Sequence, residues 1–225
     1  RLLVTFHGGY KPTGLRRTWP NVIAHEGVMG AEYDKWSARV TPEHNVTLPF
    51  TRMLAGPMDY TPGGFRNAAQ GQFFADFDEP MVQGTRAHEI AKYVVFESPM
   101  PMVADHPAAL RGQPGLDFVV AVPTTWDETR GLAGEVGRFV AVGRRSGHDW
   151  YVGAMTDWTA RTVDVPLAFL GPGRWRATLW ADGPEAATRA TDLARSESVL
   201  TAADTLHLRL APGGGAAVRL VPEGR

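Results

Sequence analysis

Two glutamates six residues apart, Glu26 and Glu32, flank a glycine-bearing Gly-Val-Met-Gly-Ala segment. Carboxyl groups presented on a loop can exchange a proton with a reacting oxygen or hold a hard cation. Around them, KPTGLRRTWPNVIAHEGVMGAEYDKW and TPEHNVTLPFTRMLAGPMDYTPGGF crowd acids, aromatics and turn formers more densely than a structural segment requires. GPMDYTPGG alone brings three glycines, two prolines, Asp59 and Tyr60. Such loops aim a few polar groups through backbone angles that Gly and Pro supply. No D-x-D-x-D run occurs, so spacing by itself does not single out calcium. His25, His44, His88 and His106 share no metal-type spacing and read as structural.

The elements that must position these groups alternate between strand-like and helix-like over residues 1 to about 135, as in a parallel α/β architecture. LLVTF at residues 2–6 reads as a strand buried on both sides, with His7 and Gly8 at its carboxyl end, where barrel enzymes carry their chemistry. Asn21–Ala24 reads as the next strand, with His25 and Glu26 at its exit. Residues 85–98 predict a helix: Thr85 caps it, Ile90, Ala91, Val94 and Val95 share a face, and Ser98-Pro99 stops it. Phe118–Val122 reads as another buried strand, delivering the loop Thr124–Thr129 to the pocket. His7, Lys11 and Asp59 suit the hydroxyls of a polar ligand, and each is equally explicable as a turn residue or a supporting hydrogen bond. Trp126 offers a ring to a ligand or to the core.

After Gly137 short apolar runs are divided by Gly, Pro, Asp and Ser: Phe139–Val142, Trp150–Met155, Thr162–Phe169, Trp175–Trp180, Thr205–Leu210 and Ala216–Val221. That spacing predicts an antiparallel β-sandwich, with Trp150, Trp158, Trp175 and Trp180 in core or interdomain packing. The boundary is expected in GLAGEVG, residues 131–137, giving domains 1–134 and 135–225.

Charge is near balance, with 23 Lys and Arg against 24 Asp and Glu, so neither nucleic acid nor an anionic membrane is expected as partner. No apolar run approaches the roughly 18 residues a spanning helix needs. The lack of cysteine removes disulfides, zinc–thiolate sites and a cysteine nucleophile. The chain opens on LLVTF without a methionine, and its natural start is expected upstream.

KPTGLRRTWPN, EGVMGAEYDKW, LPFTRMLAGPMDYTPGGFRNA and VPTTWDETRGL, in this order, resemble glycoside hydrolase family 97. That family comprises calcium-dependent α-glucosidases and α-galactosidases. The likeness is strong to about residue 135 and continues more weakly through RFVAVGRRSGHDWYVGAMTDWTAR. It implies the second half of a (β/α)8 barrel followed by a small β domain, with an N-terminal β-sandwich and the first half of the barrel lying upstream. Through it Glu32 becomes the catalytic acid and later base, and Glu26 a calcium ligand, with Glu32 also touching the ion, while His7, Lys11, Asp59 and the ring of Trp126 become candidate sugar contacts. Inverting members carry a glutamate after the histidine of the first strand; this chain has Gly8. The resemblance therefore implies the retaining branch, whose aspartate nucleophile stands on an earlier strand, and α-galactosides over α-glucosides. It also implies a periplasmic or extracellular location, dependence on the upstream part, and possible homo-oligomers. A catalytically incomplete piece and a sugar-binding β module are the alternatives.

Overall fold

The computed structural model describes residues 2–224. Two parallel strands come first, β1 (Val4–Phe6) and β2 (Val22–His25), joined through the short helix α1 (Leu15–Thr18). Loops and 3₁₀ turns follow, among them Ala31–Lys35 and Arg52–Ala55, together with α2 (Pro42–Thr47). The strands β3 (Asn67–Ala68) and β4 (Val82–Gln83) pair in parallel over two residues each. The helices α3 (Arg86–Val95), α4 (Pro107–Leu110) and α5 (Leu116–Ala121) complete this region.

The remainder is sheet. β5 (Glu128–Glu135), β6 (Phe139–Ser146), β7 (Asp149–Thr156), β9 (Trp175–Asp182), β10 (Leu193–Leu200) and β12 (Gly215–Pro222) form a six-stranded antiparallel sheet in the order β10-β9-β12-β7-β6-β5. β8 (Arg161–Pro166) and β11 (Thr205–Leu210) make a separate antiparallel pair. Residues 131–137, where the boundary was expected, cover the second half of β5 and the turn after it.

The two-residue period of β7 explains how both sheet faces are covered. Trp150, Val152 and Ala154 enter a core with Val163 and Val165 of β8 and Leu206, Leu208 and Leu210 of β11. Tyr151 and Met155 point the other way, into the cores that hold α3. The expected sandwich thus has a two-stranded ribbon on one face and a helix on the other. Gly153 makes the helix contact possible: a Cβ there would lie 2.8 Å from Val94 Cβ and 2.9 Å from the Ala91 carbonyl oxygen. Trp150, Trp175 and Trp180 are buried, leaving no ring face for a sugar.

Helix α3 starts where the sequence places it, with the Thr85 hydroxyl accepting from His88 N at 3.1 Å. Ile90 and Val94 enter one core, Ala91 and Val95 another. All ten residues of α3 are buried, polar ones included, because loops of residues 57–68 and 105–118 close over the side away from the sheet. Lys92 Nζ meets Glu89 Oε2 at 2.6 Å and the Tyr60 hydroxyl at 3.2 Å.

His88, fully buried, accepts from Asn45 Nδ2 at 3.4 Å and donates from Nδ1 to the Gly214 carbonyl at 3.2 Å. Burial first, then the charge of Lys92, lowers its pKa from the ordinary 6.5 to about 3. Between those two values the unfolded chain binds a proton that the folded one refuses. Stability therefore falls as pH drops through this window. The urea midpoint is expected to decline between about pH 7 and about pH 4.5, and His88→Asn to flatten that decline. Equal declines in both proteins would contradict this.

Two expectations are corrected. Residues 118–122 are not a strand: α5 spans Leu116–Ala121 behind Gly115, whose φ of 92° starts the turn. Only Phe118 of the FVVA run is fully buried, against Trp180 and Tyr151, while Val120 is 78% exposed. A short apolar run does not distinguish a helix from a strand. LLVTF is a strand over Val4–Phe6 but is not buried on both sides, with Leu2 80% and Leu3 70% exposed. β1 has β2 as its neighbour on one edge, and its other edge is unpaired among the described residues.

Candidate active site

The site is assembled by three parallel chain segments ending side by side. β1 and β2 run in register with Phe6 opposite His25. A bridge then joins His25 to Met58, and Asp59 N donates to the His25 carbonyl at 3.1 Å. His7, Glu26 and Asp59 each follow one of these segments, so they emerge together at a common carboxyl end.

Their side chains converge. His7 Nδ1 lies 3.0 Å from Asp59 Oδ2 and 3.9 Å from Glu26 Oε2, and His7 Nε2 lies 3.3 Å from Glu32 Oε2. The ligating atoms of His7, Glu26 and Glu32 all fall within 4.8 Å of one another. The hydrogen bond to Asp59 raises the His7 pKa above its ordinary value; burial opposes it, and the charges of Glu26, Glu32 and Asp59 add to the rise. Glu26 is buried and Glu32 is half-exposed. Such a cluster offers a carboxyl group open to a bound molecule beside a second carboxylate that is already fixed.

Local structure fixes these groups. Gly8, at φ 66°, turns its N–H onto Glu26 Oε2, a left-handed bend that residues other than glycine adopt at a cost. Glu32 stands in the 3₁₀ turn Ala31–Lys35, whose first N–H donates to the Tyr60 carbonyl at 3.0 Å. Sequence reasoning missed Arg52. Its guanidinium donates to the carbonyls of His25 (2.9 Å), Glu26 (2.7 Å), Gly27 (3.0 Å), Gly56 (2.9 Å) and Pro57 (3.3 Å). One side chain thereby ties the Glu26 loop to the strand leading into Asp59. Asp34 was also missed: it is buried two residues beyond Glu32, and burial pushes its carboxyl up to about 8.

A recess of about 350 Å³ opens beside the cluster, lined by Gly8, Glu26, Gly27, Met29 and Tyr33. Lys11 is exposed, its Nζ 4.8 Å above the Tyr10 ring, and only its backbone approaches the cluster, against Gly27. Trp126 is placed elsewhere. It packs on Tyr151 at 5.4 Å and lines a cleft of about 720 Å³ with Arg16, Arg17, Val22 and Arg144, toward the amino end of β2. That cleft is the larger one, but it contains a single carboxylate, Glu97, and none of the convergent acids.

The donor set tests the implied cation. Two carboxylates suit a hard ion such as calcium, whereas an imidazole nitrogen is foreign to its oxygen preference. Glu26 and Glu32 thus fit as ligands, with His7 beside them. Full coordination, roughly six to eight oxygens, takes more than these two residues supply.

Acids at the carboxyl ends of parallel strands thus stand in one chain with an antiparallel β domain, and comparison supplies the family. Residues 125–221 match the family model described as glycosyl-hydrolase 97 C-terminal, oligomerisation, and residues 1–28 match glycoside hydrolase 97. The chain belongs to glycoside hydrolase family 97. It is 42% identical over 223 residues to a retaining alpha-galactosidase of Bacteroides thetaiotaomicron, covering 98% of this chain and 34% of that protein. A probable retaining alpha-galactosidase of Streptomyces bingchenggensis is 37% identical over 216 residues, 95% of this chain and 31% of that one. Among solved structures, a family 97 enzyme of Pseudoalteromonas in complex with acarbose superposes with a TM-score of 0.88 at 40% identity, covering 97% of this chain and 34% of the other. The chain therefore spans about a third of the length of the relatives it matches.

Proposed function

We propose that these residues form the C-terminal part of a retaining α-galactosidase. The observation that carries the reading is the convergence of Glu26, Glu32 and His7 at adjacent strand ends, with Glu32 the more exposed acid. In the first step an aspartate contributed from upstream attacks the anomeric carbon while Glu32 gives its proton to the leaving oxygen. In the second, Glu32 takes a proton from water as that water displaces the aspartate. Glu26 and Glu32 hold calcium, which when bound supplies a fixed positive charge for orienting sugar oxygens. His7 and Asp59 hold hydroxyls of the terminal sugar.

Retention is supported by Gly8: no acid stands there to activate water, and its N–H is committed to Glu26. The galactose preference is supported by the two relatives named for that activity. An α-glucoside is the second reading, favoured by the relative bound to acarbose. β1, β2 and the Met58 segment would be staves of a (β/α)8 barrel closed by upstream strands, which would cover Leu2 and Leu3. The β domain would contribute to self-association, as the description of its family model suggests.

The test is hydrolysis of an aryl α-galactoside by this chain, alone and together with the upstream portion, in calcium and in a chelator. Turnover is expected with the upstream portion and calcium together. Turnover by this chain alone would place the nucleophile within it and overturn the division of the site. Turnover indifferent to the chelator would remove calcium from the pocket.

A further inference from the structure

Glu32 borders two spaces. On one side it meets His7 and Glu26. On the other it lines a separate recess of about 160 Å³ together with Lys35, Thr61, Met81 and Asp105. An aromatic ledge adjoins this recess through Lys35, which lines it and lies over Phe77. Tyr33, which lines the recess beside Glu26, lies 5.5 Å from Trp36, and Trp36 stacks on Phe77 at 6.4 Å with planes 28° apart. Trp36 is 51% and Phe77 67% exposed, and Lys35 Nζ rests 5.3 Å over the Phe77 ring.

A proton donor in glycoside cleavage touches the glycosidic oxygen. The sugar ring being cut and the group leaving with that oxygen therefore lie on opposite sides of it. His7 and Glu26 share one space with Glu32, and the recess is the second space that Glu32 borders. Its lining carries one cation, Lys35, and one further anion besides the acid, Asp105, with an apolar wall from Met81 and Pro80. Paired donor and acceptor groups next to an apolar wall suit a neutral polyol better than an ion. One Asp105 oxygen accepts from Phe65 N at 2.5 Å, which fixes the carboxylate and leaves its second oxygen for a hydroxyl.

We propose that the recess lined by Lys35, Met81 and Asp105, with the Trp36–Phe77 ledge at its rim, is the leaving-group subsite, shaped for a pyranose aglycone. The proposal rests on the reading of Glu32 as the acid. Lys35 donates to an aglycone hydroxyl, Asp105 accepts from one, and Trp36 meets the C–H face of the ring. The same chemistry makes this surface a specificity determinant, because an aryl group engages the ledge and leaves Lys35 and Asp105 without partners.

The test uses this chain with its upstream portion, unsubstituted and as Lys35→Met and Trp36→Ala, on an α-galactosyl disaccharide and on α-galactosyl fluoride, which has no aglycone. Each substitution is expected to lower kcat/KM for the disaccharide about tenfold or more and to leave the fluoride within about twofold. Both positions are partly exposed, and an unchanged melting temperature shows that folding is intact. Equal losses on the two substrates, or no loss on the disaccharide, would overturn the subsite alone. An unsubstituted enzyme that hydrolyses neither substrate would overturn the α-galactosidase reading on which the subsite rests.

Discussion

Glu32→Gln is expected to reduce kcat/KM for an unactivated α-galactoside by about 100-fold to 10,000-fold, the range a positioned general acid contributes. The amide keeps the shape of the side chain but has no proton to give, so the leaving oxygen must depart as an alkoxide. An activated leaving group such as a dinitrophenolate needs no proton, so on that substrate the first step survives. The second step then slows, because no base is left to activate water. A burst of dinitrophenol followed by slow turnover is the expected record. Since Glu32 also stands with His7 and Glu26 in a cluster able to hold a metal ion, the calcium midpoint must be measured in the same variant. Activity that returns to the unsubstituted level at high calcium would make Glu32 a ligand only.

Lys92→Met is expected to destabilise the fold by about 3–5 kcal/mol, the cost of leaving a buried charge without its partner. Lys92 and Glu89 are each 1% exposed and meet at 2.6 Å on the helix that fills the space between the sheet and the segments of residues 57–68 and 105–118. Glu89 also accepts from Gly63 N at 2.7 Å, and Lys92 from the same helix reaches Tyr60, whose carbonyl anchors the Glu32 turn. Methionine replaces the stem of Lys92 and leaves the Glu89 carboxylate buried and unpaired. The melting temperature is expected to fall by about 10 °C or more, and the double substitution Glu89→Gln with Lys92→Met to recover most of the loss. A single substitution that costs less than its double would show that the pair is not what holds the helix.

The legible parts of this molecule were those written locally. Thr85 and the spacing of Ile90, Ala91, Val94 and Val95 announce α3, since a cap and an apolar stripe both act within a few residues. His7 and Glu26 could be placed together because each follows a strand, and adjacent parallel strands end side by side. Arg52 left no trace in the sequence: its five partner residues all contribute main-chain carbonyls, which every residue possesses. The burial of Lys92, His88 and Glu89 was equally hidden, because it depends on loops distant in sequence closing over the helix. Trp126 shows how one misread element misplaces a residue. Reading 118–122 as a strand delivered Thr124–Thr129 to the strand ends of the pocket. As a helix, α5 instead delivers that loop to the first strand of the antiparallel sheet.

Retention itself rested on a glycine, and the structure gives that glycine a positive reason. Gly8 is bent at φ 66° so that its N–H reaches Glu26, the buried carboxylate of the cluster. An acid at this position would have to adopt the same left-handed backbone or release Glu26. The residue that leaves no acid at this position is thus part of the device that orders the Glu26 carboxylate.

The assignment of Glu32 as acid and base in a retaining enzyme is tested most directly by azide rescue. Glu32→Ala, joined to its upstream portion and given a dinitrophenyl α-galactoside, opens the space from which water attacks the covalent intermediate. Azide entering there needs no base, and the predicted product is α-galactosyl azide, formed faster than the sugar itself. β-Galactosyl azide as the product would make Glu32 the nucleophile, and would contradict the account.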